Sequence, residues 1–155
     1  FITSMWNKLS SQKLDVVIAS RFRKGAKIHG VVWWRQVLSF GMAMLFKSFR
    51  NMKGVMDYSC GYRVYSPQII DKMIRYYGRE VVSQHNFSCM VELLRNCYDL
   101  GAKCGEVPFV LRYDLKKGPS KMQFYKTIKG TLKVLLETRG SHRLPDKNTS
   151  VRLDS

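Results

Sequence analysis

Leu14-Asp15-Val16-Val17-Ile18-Ala19-Ser20-Arg21-Phe22-Arg23-Lys24-Gly25 is the stretch from which the rest of the chain can be read. Residues 14–19 form a short β-branched apolar run, the pattern of a strand buried on both faces. Residues 20–25 turn basic and end in glycine, which predicts a loop. An open α/β sheet presents its ligand groups just beyond the strand ends, so Arg21 is an anion ligand candidate by position alone.

Upstream, residues 1–14 read as the tail of a helix, and no charged start, apolar middle and small-residue cleavage site precedes them. The expectation is a piece of something longer, cut on its amino-terminal side. Downstream, residues 31–50 (VVWWRQVLSFGMAMLFKSFR) predict a helix that is apolar nearly all round. Its uncharged core, Gln36 to Phe46, is 11 residues long, against the ~20 needed to cross a bilayer. Trp33, Trp34 and Arg35 stand at one end, with Lys47 and Arg50 at the other. That arrangement suits a helix lying in a membrane interface, and equally a buried core helix with charged ends.

Further along, Gly54 to Tyr65 is irregular with strand character. Ser66-Pro67 opens a helix that stops at Gly78, and Phe87, Met90, Val91, Leu94 and Tyr98 mark another over 86–100. Lys103 to Arg112 reads as a strand, with Pro108 placing it at an edge or a start. A loop with Lys116, Lys117, Gly118, Pro119 and Lys121 leads into a basic amphipathic helix from about Ser120 to Glu137. Such a helix suits a membrane surface or a core with a solvated basic face. The class is α/β, with two or three strands, too few for a complete doubly wound sheet. One domain is expected over 1–139, followed by a polar, aperiodic tail over 140–155.

Composition narrows the partners. The 155 residues are 45% apolar, which excludes a disordered polar chain. Lys and Arg number 27 against 11 Asp and Glu, a formal charge of +16. The partner is therefore anionic: nucleic acid, an anionic membrane surface or a phosphorylated ligand. The aromatics cluster with apolar residues and do not interleave with a basic groove, which counts against nucleic acid. A basic nucleic-acid-binding module stays as an alternative. Cys60, Cys89, Cys97 and Cys104 form no C-x-x-C pair and lie near no histidine at zinc spacing, so they read as reduced thiols in a cytosolic compartment.

Two groups of residues can carry chemistry. Arg21, Arg35 and the cluster Arg112, Lys116, Lys117 and Lys121 could together neutralise a phosphate and a diphosphate. Asp57 stands out within Met56-Asp57-Tyr58-Ser59-Cys60-Gly61-Tyr62-Arg63 as an acid among small residues. It could orient an acceptor or contact a metal-bound sugar phosphate; it could equally pair with Arg63 or cap a turn.

Several motifs now appear in order: strand-S-R-F over 14–22, W-R-x-x-x-S over 34–39, D-x-S-x-G-Y-R over 57–63, E-L-L-R over 92–95, E-V-P over 106–108 and G-x-S-K over 118–121. The set resembles the second half of family 2 glycosyltransferases of the dolichol- or polyprenol-phosphate mannosyltransferase kind, over residues 14–136. The resemblance implies a partial GT-A fold and inverting transfer of a hexose from a nucleotide-sugar donor to a polyprenyl or dolichyl phosphate. The place implied is the cytoplasmic face of a membrane, held peripherally without a transmembrane helix. It implies that Arg21, Arg35, Ser39 and Arg63 bind the acceptor phosphate. Arg112, Lys116, Ser120 and Lys121 belong to the loop that closes on the donor phosphates, and Asp57 matches the acceptor-side catalytic acid. It also implies Mg²⁺ or Mn²⁺, with ligands in a preceding half, since no D-x-D occurs in this sequence. Ser59-Cys60 replaces the family's Thr-Ser pair, and Leu115 stands where the closing loop has an arginine. A transferase of the same family acting on a saccharide or protein acceptor is the other enzymatic reading.

Overall fold

All five residues of strand β1 (Val16–Ser20) are buried, and this strand organises the sheet. The computed structural model describes residues 1–49, 51–78, 81–83 and 88–115. These form four α-helices, five short strands and one 3-10 turn. The α/β class expected from sequence is what they show.

β1 lies at the centre of a three-stranded sheet. β3 (Arg63–Tyr65) runs antiparallel on one side and β4 (Cys104–Pro108) parallel on the other. Its apolar residues need cover on both faces. Residues paired across neighbouring strands share a face, so Arg63, Ile18 and Glu106 point the same way. That face meets α4 (Ser88–Asp99), because Arg63 donates to the Met90 carbonyl. The opposite face is covered by α1 (Ile2–Ser11), which buries Met5 and Leu9. There a Cβ on Gly105 would come 2.5 Å from the tip of the Leu14 side chain, which would have to turn aside.

α2 (Trp33–Phe49) and α3 (Pro67–Tyr77) match the predicted helices closely. α3 starts where Ser66 accepts the Ile69 N–H, with Pro67 in the first turn, and ends at Gly78. α4 buries Val91, Leu94 and Cys97, the last packing on Met73 of α3.

The strand expected over Lys103–Arg112 is two strands. At Phe109 the chain leaves the first sheet: its N–H donates to Ser20, while its carbonyl accepts from Lys27. β5 (Val110–Arg112) then pairs in parallel with β2 (Lys27–His29). Pro108, with no N–H to give, is the last residue of β4. β2 has only three residues, one of them apolar, too short for its periodicity to register in the sequence.

The helix expected after Ser120 and the tail over 140–155 lie outside the described residues. Among the described residues no helix is long and apolar enough to cross a membrane.

Candidate functional site

Arg21 follows β1 directly, and the segment 52–62 brings Asp57 to it. Two features fix that segment, one against β4 and one against α2. Gly54 has a φ of +85° and approaches the Cys104 carbonyl so closely that no side chain would fit. Tyr58 is buried and stacks on Phe46 of α2, with ring centroids 5.5 Å apart.

The guanidinium and the carboxylate meet as two parallel bonds. Arg21 Nε donates to Asp57 Oδ2 at 2.8 Å, and Nη2 donates to Oδ1 at 2.8 Å. The Arg21 backbone N–H also donates to Oδ2, at 3.0 Å. The N–H groups of Ser59 and Cys60 donate to Oδ1, so Asp57 caps the turn after it. Nη2 further donates to the Ser59 hydroxyl at 2.7 Å. The Asp57 side chain is fully buried, whereas Arg21 keeps 20% of its side chain exposed. Nη1 has no bond among the described residues and is not sealed from solvent.

Burial alone would raise the Asp57 carboxyl. The Arg21 guanidinium, aided by N–H groups of Arg21 and Ser59, overcomes it and holds the carboxyl below its ordinary value. Burial likewise works against the Arg21 charge, and Asp57 more than offsets it, so Arg21 is raised. Both groups are charged near neutral pH. Burial pushes the Cys60 thiol up, with Asp57 adding to the effect, so it is a poor nucleophile there.

These facts sort the expected site residues. Asp57 does pair and does cap a turn, but its arginine is Arg21, not Arg63. Both its oxygens are engaged, and its side chain is not exposed. Arg63, expected at the acceptor phosphate, turns inward instead. Its Nη1 and Nη2 donate to the carbonyls of Met90 and Tyr58, tying α4 and the Asp57 segment to the sheet. Arg112, expected in the same pocket as Arg21, bonds through its side chain to Asp114 among the described residues. Arg112 ends β5 and Asp114 lies in the 3-10 turn that follows, both exposed.

Arg35 and Ser39 occupy successive turns of α2, both half-buried, with the Arg35 guanidinium 5.3 Å from the Trp34 ring. α2 reaches the Arg21 loop through Phe22, whose ring meets Phe40 edge-on at 5.7 Å. Phe22 also lies under the Arg21 guanidinium. Lys116, Ser120 and Lys121 lie outside the described residues.

α2 itself buries only Phe46 among its residues. Trp33, Trp34, Val37, Leu38, Phe40, Met44 and Phe49 are exposed. Seven large apolar side chains exposed on one helix exceed the scattered exposure ordinary in globular proteins.

Two residues at this site escaped the sequence reading. Glu106 entered it only as part of E-V-P, and Arg23 only as a loop cation. Both are in ion-pair contact at 2.7 Å, with Glu106 fully buried. The available signal was an acid inside an apolar strand pattern, which burial tolerates only when it is paired.

The Asp57 and Glu106 carboxylates leave no oxygen open to a divalent cation. They are occupied by arginines and backbone N–H groups, and no cluster of metal-ligating side chains occurs among the described residues.

Compared with models of known protein families and with curated proteins, the chain matches none.

Proposed function

We propose that this chain is the carboxyl-side half of a GT-A glycosyltransferase that transfers a hexose from a nucleotide-sugar to a polyprenyl phosphate at an anionic membrane surface. The observation that carries the reading is the Arg21–Asp57 pair at the carboxyl end of a buried strand, joined through Phe22 and Phe40 to a helix with an exposed apolar face. An acceptor of this class has an anionic head and a hydrocarbon tail. The head needs a fixed cation; the tail needs an apolar surface beside it.

The chemistry asks little of a base. A phosphate monoester is ionised near neutral pH, and in inverting transfer one of its oxygens attacks the anomeric carbon as the nucleotide diphosphate departs. What the protein must supply is orientation and charge. Asp57 holds Arg21 by Nε and Nη2, which leaves the Nη1 edge for a phosphate oxygen. Ser39 offers a further hydroxyl along α2, and Arg35 one turn before it adds positive charge. Trp33, Val37 and Met44 give the prenyl chain, or the lipid around it, an apolar surface. The +16 charge favours an anionic surface at longer range.

The test uses the full-length protein, labelled nucleotide-sugars and a prenyl phosphate in anionic liposomes. Arg21→Lys keeps the charge and loses the planar fork. Transfer is expected to fall by about 100-fold, the cost of losing one oriented donor to developing charge, with donor hydrolysis unchanged. Undiminished transfer by Arg21→Lys overturns the reading. So does wild-type transfer to a soluble saccharide with no dependence on lipid, or salt-sensitive binding to RNA or DNA without binding to liposomes.

A further inference from the structure

Glu106 does more than fill the sheet. Its Oε1 accepts two backbone N–H groups, from Met56 at 2.6 Å and Asp57 at 2.7 Å. Its Oε2 accepts Arg23 Nε at 2.7 Å, and Arg23 Nη2 reaches on to the Gly54 carbonyl at 3.1 Å. On the other side of the strand, Lys8 Nζ donates to the Glu106 carbonyl at 2.8 Å. The carboxylate is therefore satisfied at both oxygens in a fully buried position.

The connections close into a ring. Arg21 and Arg23 leave the same short loop and grip two different carboxylates, Asp57 and Glu106. The Asp57 N–H then bonds to Glu106, joining the carboxylates through the backbone. The Asp57 end of the pair cannot shift at its backbone without disturbing its bond to Glu106. An apolar side chain in this register would serve the sheet as well, since buried ion pairs add little net stability over good packing. What an apolar residue could not do is hold two N–H groups of the Asp57 segment and the Arg23 guanidinium together.

We infer that Glu106 is a positioning residue of the site. Through the Asp57 amide and Arg23 it fixes where Asp57 holds Arg21, and hence where the Nη1 edge points. It touches no ligand. The reaction in which this matters rests on the proposed function; the coupling of Glu106 to Arg21 does not.

The experiment separates the two. In the protein labelled with ¹⁵N-arginine, the Nε–H signals of Arg21 and Arg23 are assigned with Arg21→Lys and Arg23→Lys. Both donate to buried carboxylate oxygens, so both are expected to exchange slowly with water. In Glu106→Gln the Arg23 signal is expected to be lost to fast exchange. The Arg21 signal should shift and exchange about tenfold faster, the effect of one weakened charged hydrogen bond, although residue 106 does not touch Arg21. In Asp57→Asn the further change Glu106→Gln should add nothing. A folded Glu106→Gln protein with an unchanged Arg21 signal overturns the inference. Should that variant not fold, Arg23→Gln opens the ring at its other end, and an unchanged Arg21 signal there overturns it equally.

In the transfer assay, Glu106→Gln is expected to raise the KM for prenyl phosphate about tenfold, in step with the loosened donor, and to leave the KM for nucleotide-sugar unchanged. An altered Arg21 signal with an unaltered acceptor KM overturns the positioning role. If wild-type protein transfers nothing to prenyl phosphate, the proposed function fails, and the Arg21 signal still decides the coupling.

Discussion

Two arginine–aspartate pairs in this molecule have the same closest separation and different physics. Arg21 with Asp57 and Arg112 with Asp114 both approach to 2.8 Å, each through more than one N–H. In both, the partner's hydrogen bond and charge act to lower the aspartate and raise the arginine. The first joins residues 36 apart in sequence and hides its carboxylate completely. The second joins residues two apart, with both side chains substantially in water. Water competes for the exposed pair and salt screens it. The Asp57 carboxylate has no such competitor, so losing Arg21 strands its charge. Distance alone does not rank them; access of solvent does.

The sharpest way to break this contrast is Arg21→Ala. It leaves the Asp57 charge buried and unpaired, and about 3–5 kcal/mol of stability should be lost in urea titration. A loss below ~1 kcal/mol would put this pair in the surface class. Next, Phe46→Ala removes the ring that stacks on Tyr58 behind Asp57. It should cost about 3 kcal/mol by the same measurement. Met44→Ser, on the exposed side of α2, should leave the midpoint unmoved and weaken binding to anionic vesicles.

Acid gives a smaller, signed effect. The Asp57 carboxyl lies below its ordinary 3.8 when folded, so its contribution is complete above that value and fades as pH falls through the folded one. Wild-type stability should therefore drop below about pH 4. Asp57→Asn, already weaker, should show a flatter acid limb in thermal melts from pH 5 to 2. Arg112→Ala is the smallest: no measurable change in midpoint at 0.15 M salt.

Local signals carried most of the fold. β1, α2, α3 and α4 each announced themselves by an apolar run, a capping residue or helical spacing, because those features act within a few residues of chain. The strand over Lys103–Arg112 was legible as extended backbone but not as two strands. Which edge each half joins depends on Ser20 and Lys27, far away in sequence. The site was legible in kind: Arg21 and Asp57 stood out by position and by contrast with their neighbours. Their mutual bond was not, since an aspartate six residues from Arg63 and 36 from Arg21 has no local reason to choose the distant partner.

From its residues alone this chain is determined to be an α/β protein with a buried strand ending in a basic loop, an apolar helix beyond it and a large positive charge. Those properties follow from side-chain periodicity and composition, which need no partner to be read. Only the tertiary structure decided that Asp57 is a buried counterion, that Arg63 faces inward and that Arg112 pairs with Asp114. It alone gave Glu106 the Asp57 amide to hold. The physical reason is that a charged side chain takes its role from the solvent and the opposite charges around it, and folding sets both by bringing distant segments together.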